Sequence, residues 1–239
     1  VFSVADTVSK ADGGTFDGNV TMGGTLGVTG ATTLTGGVSG NTTFSGEIIT
    51  STSGTSNLRI GENAGDAIAS GGNYNVVLGD EAGTAITTGD NNVAVGYNAL
   101  ATNTTASTNT AVGYQAAYSN QTGVGITAFG ANALYATTAS DNCGIGTDNP
   151  GNYAAALESN TTGRFNTAVA TGALGSNTEG DSNTAVGHSA GASITTADNN
   201  VAIGYLALST DTQGSLSTAV GKSALANQNL TSATNTFNT

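Results

Sequence analysis

The side chains that could carry catalysis or metal binding in this chain are few and far apart. His188 is the only histidine and Cys143 the only cysteine, so a Cys/His zinc motif cannot be assembled, and the sequence indicates no Ser-His-Asp triad. Related stretches of the chain place Tyr, Lys, Asp or Glu where His188 stands, which indicates a solvent-facing position. Three associated copies would bring His188 into one layer, and a metal there is the minor alternative. We predict a protein that is not an enzyme and has no cofactor or metal.

Four aspartates suggest a calcium hypothesis, because each stands just before a recurrent asparagine: Asp90, Asp141, Asp181 and Asp198. They supply single carboxylates at long intervals and lack the DxDxDG spacing of a calcium loop. Aspartate beside such an asparagine is typical of turns, because its side chain bonds to the nearby backbone. We interpret these residues as turn formers and keep weak calcium binding as the alternative.

The candidate ligand-binding residues lie in one unusual stretch and in a series of tyrosines. Residues 147–165, TDNPGNYAAALESNTTGRF, carry the only proline together with Tyr153 and Arg164. This stretch is seven residues longer than the equivalent stretches elsewhere, and insertions into repeat proteins emerge as loops on one face, often the binding face. The alternative is a tolerated surface loop. The tyrosines either stack on sugar rings or pack between neighbouring copies of the chain: Tyr97, Tyr114 and Tyr205.

A repeat of about 17 residues must position these side chains. A short apolar tetrad ending in a marker residue, nearly always glycine, recurs at intervals of 16 to 18 residues, with one interval of 24. The residue before the marker is large and apolar, and the residue two before it is usually alanine. Adjacent strand residues point to opposite faces, so one face carries the large residue and the other the alanine. Because the residue type is restricted on both faces, we expect both to be covered. The markers are Gly61, Gly79, Gly96, Gly113, Gly130, Gly146, Ala170, Gly187, Gly204 and Gly221.

The pattern predicts a β-solenoid rather than a helical repeat. Glycine and asparagine recur at fixed points, β-branched residues are frequent, and no apolar stripe follows a period of 3.6 residues. Each unit is then one coil, and successive coils lie about 4.8 Å apart. Cys143 takes a strand position that is threonine or valine in other coils, so we predict a small buried residue there.

Asparagine stands four residues before the marker in eight of the ten units, which places it at a corner of the coil. Stacked coils would allow these amides to form hydrogen bonds along a ladder. Alternatively, asparagine is present because it tolerates a left-handed turn. The sequence leaves both interpretations open.

Upstream, residues 13–50 follow a different pattern, with glycine at intervals of six: Gly18, Gly24, Gly30 and Gly36. Each hexad buries one or two side chains, worth roughly 1.5–3 kcal/mol apiece. Ordering six backbone residues costs roughly 6–12 kcal/mol. The deficit indicates that the hexads wrap around other copies, and a trimer is the simplest closed arrangement for a fibre.

Composition and charge exclude several functional classes. The net charge is −12, with 16 acidic and four basic residues, which disfavours binding to nucleic acid or to an anionic membrane surface. No apolar run approaches the 20 or so residues of a membrane span. The chain starts at Val1 without a signal-peptide pattern, and we expect it to be part of a longer or processed protein.

The units of the NTAVGYQA type, residues 109–116, resemble the repeats of bacteriophage tail-fibre proteins. They are also similar to stacked units in the heads of trimeric autotransporter adhesins. The hexads GTLGVTGATTLTG, residues 24–36, are similar to phage fibre shafts. The resemblance implies a trimeric, extracellular fibre used in host attachment. Some fibres of this kind lose a C-terminal chaperone after assembly, and the tail 227–239 carries none.

The sequence therefore predicts an all-β, intertwined homotrimer. We assign a connector to 1–12, a hexad shaft to 13–50, a ten-coil β-solenoid to 51–226 and a tail to 227–239. The predicted function is that of a structural virion fibre, extracellular and part of a phage tail, which binds other virion proteins and a host glycan or protein. The alternatives are a bacterial trimeric adhesin or appendage subunit, and a polysaccharide-degrading tailspike.

Overall fold

The computed structural model describes residues 53–149, 153–230, 232 and 234–235. These residues belong to the compact unit Ile48–Thr239. The predicted connector 1–12 and shaft 13–50 lie outside the described residues.

Three-residue strands recur once per repeat and pair into one parallel, ten-stranded sheet. Residues at equivalent positions of successive units lie opposite each other, for example Ala94 and Ala111. The predicted all-β solenoid, with coils of about 17 residues, is confirmed over about nine turns. The sheet strands are β1 Leu58–Ile60, β2 Val76–Leu78, β3 Val93–Val95, β4 Thr110–Val112, β5 Thr127–Phe129, β6 Cys143–Ile145, β7 Thr167–Val169, β8 Thr184–Val186, β9 Val201–Ile203 and β11 Thr218–Val220.

Two shorter strands close the C-terminal end of the described chain. Strand β10, Gly214–Ser215, pairs in parallel with β12, Thr234–Asn235. Part of the predicted tail therefore packs back onto the last coil.

The marker glycines from Gly61 to Gly204 permit the close stacking of coils, whereas a Cβ on Gly221 would meet nothing within 4 Å. Gly96 has a φ of +126°, and a Cβ built on it would lie 2.5 Å from the carbonyl oxygen of Gly113. A side chain at this position would therefore collide with the backbone of the next coil. Ala170 takes the marker position in the coil after the insertion, at a φ of +105°.

The corner asparagines form the predicted ladder, and the left-handed interpretation is wrong. The Asn92 backbone N–H donates to Oδ1 of Asn75 at 2.9 Å, and its Nδ2 donates to the Ala106 carbonyl at 2.9 Å. The asparagine side chain thus caps two buried backbone groups that would otherwise be costly to leave unpaired. The left-handed residue is the one before the asparagine, as at Asn91 with a φ of +57°.

The interior is narrow because the inward strand position holds alanine. Ala94, Ala111 and Ala128 are fully buried. At the equivalent position in β6, a Cβ on Gly144 would lie 3.1 Å from Cγ of Leu134. The inner strand face therefore packs directly against the aliphatic side chain on the far side of the coil.

A second buried polar position lies on that far side, and sequence reasoning missed it. Asn120 donates from Nδ2 to the Gly123 carbonyl at 2.9 Å and accepts the Gly123 N–H at 2.8 Å. These two hydrogen bonds close a tight turn within the coil of Asn120. Equivalent positions are occupied by Asn103, Asn120, Thr137, Asn160, Asn177 and Asp211, all fully buried.

The described residues cover only one face of the sheet, whereas the sequence led us to expect cover on both. The large residues before the markers point outward and remain exposed or half-buried; Phe129 is 55% exposed and Val220 is 65% exposed. We call this set the outer stripe. It consists of Ile60, Leu78, Val95, Val112, Phe129, Ile145, Val169, Val186, Ile203 and Val220.

Candidate binding surface

The position directly after each marker forms a line of side chains along the edge where the sheet strands end. We call this line the aromatic edge: Tyr97, Tyr114, His188, Tyr205 and Lys222. The rings of Tyr97 and Tyr114 stack with centroids 5.7 Å apart and an interplanar angle of 14°. Stacking of this kind contributes about 0.5–1.5 kcal/mol beyond burial, so these tyrosines hold neighbouring coils together within one chain.

Stacking covers one face of each ring in the Tyr97–Tyr114 pair. Along the aromatic edge the pair is flanked by Asp80 on one side and by Ala131 on the other, and neither is aromatic. Three positions, Ala131, Thr147 and Thr171, separate Tyr114 from His188, where aromatic side chains resume. Sugar stacking on this pair would therefore use the outer ring face of Tyr97 or of Tyr114.

The chain stays in register with the solenoid up to Asp148, whose N–H donates to the Ala131 carbonyl at 3.3 Å, and is again in register at Ala154, whose carbonyl accepts the Gly172 N–H at 2.8 Å. Asn149 and Tyr153 exchange backbone hydrogen bonds of 2.9 and 3.2 Å, which closes the base of the loop. The Tyr153 ring then meets His188 edge-on at 4.3 Å between centroids. The loop is thereby anchored to the aromatic edge two coils further along.

His188 lies between two aromatic rings and is partly buried, so the solvent-facing prediction is only half right. Its ring stacks on Tyr205 at 5.5 Å and an angle of 26°, and its Nδ1 lies 3.1 Å from Oγ of Ser189. Lys222 Nζ lies 5.9 Å from the centroid of the Tyr205 ring. Tyr153, His188, Tyr205 and Lys222 thus form one continuous cluster.

Arg164 is not part of that cluster. It precedes strand β7, whereas the aromatic edge follows the strands, and parallel strands all begin at one edge of the sheet and end at the other. Its guanidinium pairs with Asp141 at 3.2 Å and lies over the Phe165 ring at 4.9 Å. The five predicted binding residues therefore fall into three places: the Tyr97–Tyr114 pair, the Tyr153–Tyr205 cluster and the Arg164 corner.

The aspartates support the stacking of coils rather than a metal site. The Asp181 backbone N–H donates to Asp198 Oδ1 at 2.7 Å, and the Arg164 N–H donates to Asp181 Oδ1 at 2.6 Å. Asp90 accepts the Asn73 N–H in the same manner at 2.7 Å. Within the described part of the chain, no three His, Cys, Asp or Glu side chains come together as a metal site.

Cys143 is not buried in the core as predicted. It occupies the first position of β6, which points to the outer face beside the outer stripe, and it is partly exposed. Partial burial raises the pKa of its thiol above the ordinary value. A protonated thiol is a poor nucleophile, so Cys143 is suited to report on coverage of this face rather than to perform chemistry.

No protein-family model, curated protein or solved structure matches this chain. Among the described residues, no helix is long and apolar enough to cross a membrane.

Proposed function

We propose that the chain is a structural fibre subunit that assembles as a homotrimer through the outer stripe and presents its sheet edges for attachment to a host cell. One observation carries the proposal: a continuous apolar surface runs along all ten strands of the sheet and is left open by the single chain. Large continuous apolar patches on soluble proteins are typical of association surfaces.

The sheet face that carries the stripe has no charge on its outward-pointing positions. Twenty outward residues, two from each of the ten strands, are aliphatic, aromatic, threonine or cysteine. The same chain has 20 charged residues elsewhere, 16 acidic and four basic. Their exclusion from one face is expected where that face is desolvated, because an unpaired buried charge is costly.

The repeat length indicates that the partner is another copy of the chain. A second copy has the same coil spacing, so each of its coils contacts the outer stripe in the same way along the whole length of the sheet. An exposed side chain on the stripe retains about half of the roughly 1.5–3 kcal/mol available from full burial. Seven stripe positions are exposed to this extent, and together they provide roughly 5–10 kcal/mol per chain by the same measure, enough for stable association.

The attachment role follows from the remaining surface. Association through the stripe leaves the aromatic edge and the Arg164 corner at the rims of the interface, where they face outward. A tail fibre of a virion uses such a rod to hold a receptor-binding surface at a distance. A cell-surface adhesin or appendage subunit is the alternative with the same physical basis.

Assembly is tested by mass under native conditions and by a charge placed on the stripe. We expect the unaltered protein to have about three times its chain mass of 23.1 kDa, and Phe129→Asp to shift it to the single-chain mass. Tyr74→Asp is the matched control, because Tyr74 is 59% exposed but lies outside the sheet. Cys143 should react with an alkylating reagent in the Phe129→Asp variant and remain protected in the control.

A folded single chain as the main species of the unaltered protein would contradict the trimer. The attachment role is tested separately with fluorescently labelled protein and a panel of bacterial cells, for which we expect saturable binding to some strains. Release of reducing ends from surface polysaccharide during the same incubation would instead support the tailspike alternative.

A further inference from the structure

One coil of the solenoid is a residue short, and the position of the missing residue is defined by the stacking. Gly130 and Gly146 are 16 residues apart, whereas most markers are 17 apart. A Cβ on Gly123 would lie 2.6 Å from the Ala139 carbonyl oxygen, as one on Gly89 would lie 2.4 Å from that of Ala106. Ala139 therefore takes the small buried position of its coil.

The residue before that small position is exposed in the neighbouring coils and is missing from the short one. Thr122 holds it in the coil below and Thr162 in the coil above, both exposed. In the short coil the preceding residue is Thr138, whose Oγ1 donates to the Thr161 carbonyl at 3.1 Å. Thr138 therefore occupies the position equivalent to Thr161, and nothing stands between Thr122 and Thr162.

The omission produces a depression of about 330 Å³, which we call the notch. Its lining consists of Thr122, Thr138, Ala139, Ser140, Thr162 and Arg164. Because coils lie about 4.8 Å apart, Thr122 and Thr162 are separated by two steps, about 10 Å. This volume is at the small end of the roughly 300–1,000 Å³ seen for ligand sites, which suits one sugar ring.

The notch presents both donors and acceptors. Ser140 Oγ accepts the Val124 N–H at 3.1 Å, so its hydroxyl hydrogen is available to donate. Thr138 donates its hydroxyl hydrogen to the backbone, which leaves oxygen lone pairs to accept. Arg164 also lines the notch; its guanidinium has five N–H donors and pairs with Asp141 through Nη2. A ligand with vicinal hydroxyl groups can use all of these.

The surrounding charge favours a neutral ligand. Arg164 is balanced by Asp141 at 3.2 Å, and Asp181 lies next to the Arg164 backbone, so the corner carries one more negative than positive charge. An acidic sugar or a phosphate would meet this excess within a Debye length of about 8 Å. A neutral pyranose has only hydroxyl groups to satisfy.

We infer that the notch binds a single neutral pyranose residue of a glycan. The inference rests on the proposed attachment function and assigns a position on the fibre to it. The site exists because one residue is omitted from an otherwise regular array, and threonines of the coils on either side of the short coil then line the gap.

Saturation-transfer NMR with the full chain and free galactose, glucose or N-acetylglucosamine tests the inference. We expect transfer from at least one of these sugars, with millimolar affinity. Inserting a threonine between Thr138 and Ala139 restores a 17-residue coil and fills the notch, so it should abolish transfer without lowering the melting temperature. Thr162→Ala should weaken binding about tenfold, as expected for loss of one or two hydrogen bonds.

The matched control is Thr196→Ala, since Thr196 is exposed at the equivalent position of a coil with no omission; its sugar binding should be unchanged. Equal binding by the insertion variant, or no transfer from any of the three sugars, would overturn the inference. Preference for glucuronic acid would overturn the assignment of a neutral ligand. The insertion variant should still assemble at its native mass, so loss of this site alone is distinguishable from failure of the fibre proposal.

Discussion

Coils of this solenoid share one backbone but fill their interiors in different ways, and the comparison of two of them shows what the repeat conserves. In the coil after Gly96, Leu100 is fully buried and the polar Asn103 lies three residues later. In the coil after Gly79, the equivalent pair is Gly83 and Ile86. The large aliphatic side chain comes from the first position of the pair in one coil, Leu100, and from the second position in the other, Ile86. The remaining position of each pair is polar, Asn103, or small, Gly83.

A third arrangement confirms that buried volume is what is conserved. The coil after Gly113 has Ala117 and Asn120, and its large residue is Ile126, which replaces the corner asparagine. Each coil thus contains one large aliphatic residue outside its strand: Ile68, Ile86, Leu100, Ile126, Leu134, Leu157, Leu174, Ile194, Leu208 and Leu225. A narrow interior has little room beyond this side chain, and the one large aliphatic side chain that a described strand adds to it is Val77 of β2.

The substitution of Ile126 interrupts the asparagine ladder. The Ile126 N–H still donates to Asn109 Oδ1 at 3.0 Å, but Nδ2 of Asn109 is buried without a partner. An unpaired buried donor costs about 1–3 kcal/mol. The ladder is therefore interrupted at the coil in which an aliphatic side chain, Ile126, occupies the corner.

The largest effect is expected from removing the aliphatic side chain of a coil. Leu100→Ala leaves a cavity in a fully buried position and should lower the free energy of unfolding by about 3 kcal/mol. Denaturant unfolding followed by circular dichroism measures this change. The control is Leu78→Ala on the exposed outer stripe, measured in chains that are dissociated from one another. An equal loss of unfolding free energy in this control would refute the inference that each coil depends on its one large buried aliphatic side chain.

A transfer of the aliphatic residue between positions should be tolerated. Ile126→Asn alone should cost about 2 kcal/mol, because the coil loses its large side chain although the ladder is restored. Combining it with Ala117→Leu reproduces the pattern of the coil after Gly96, and Ala117 already has the left-handed φ of +49° that Leu100 has at +51°. We expect the double variant to unfold within about 1 kcal/mol of the unaltered protein. Additive losses in this cycle would argue against volume compensation.

The smallest losses of stability are expected from alanine substitutions at Gly83 and Gly191, two glycines at equivalent positions of their coils. A Cβ on Gly83 would lie 2.7 Å from both Ile86 Cδ1 and Val77 Cγ1, whereas one on Gly191 would lie 3.1 Å from Ile194 Cδ1 and Leu174 Cδ2. Gly83→Ala should therefore cost about 1–2 kcal/mol and Gly191→Ala less than about 1 kcal/mol. Hydrogen exchange of the adjacent strands would resolve the difference, and the reverse order would show that side-chain crowding is not the deciding factor.

Much of the architecture was readable in advance because every element recurs. The interval between markers defines the coil, and the fixed asparagine four residues before the marker predicts the ladder between Asn75 and Asn92. The exchange of Gly and Ile for Leu and Asn was also present in the sequence, in GTAI at 83–86 against LATN at 100–103. It was missed because each position seemed variable when considered alone, and only the pair is constrained.

The sequence by itself determined the coil length, the strand positions and the corner asparagines, because each depends on local spacing and on stacking of identical units. Only the tertiary structure decided which strand face is inside. Alternation separates alanine from the bulky residues but does not say which group is enclosed; closure of a narrow coil around one aliphatic side chain leaves room for a methyl group at most inward strand positions, and Val77 in β2 is larger. That closure placed alanine inside, moved Cys143 and the outer stripe to the surface, and separated Arg164 from the tyrosines by the width of the sheet.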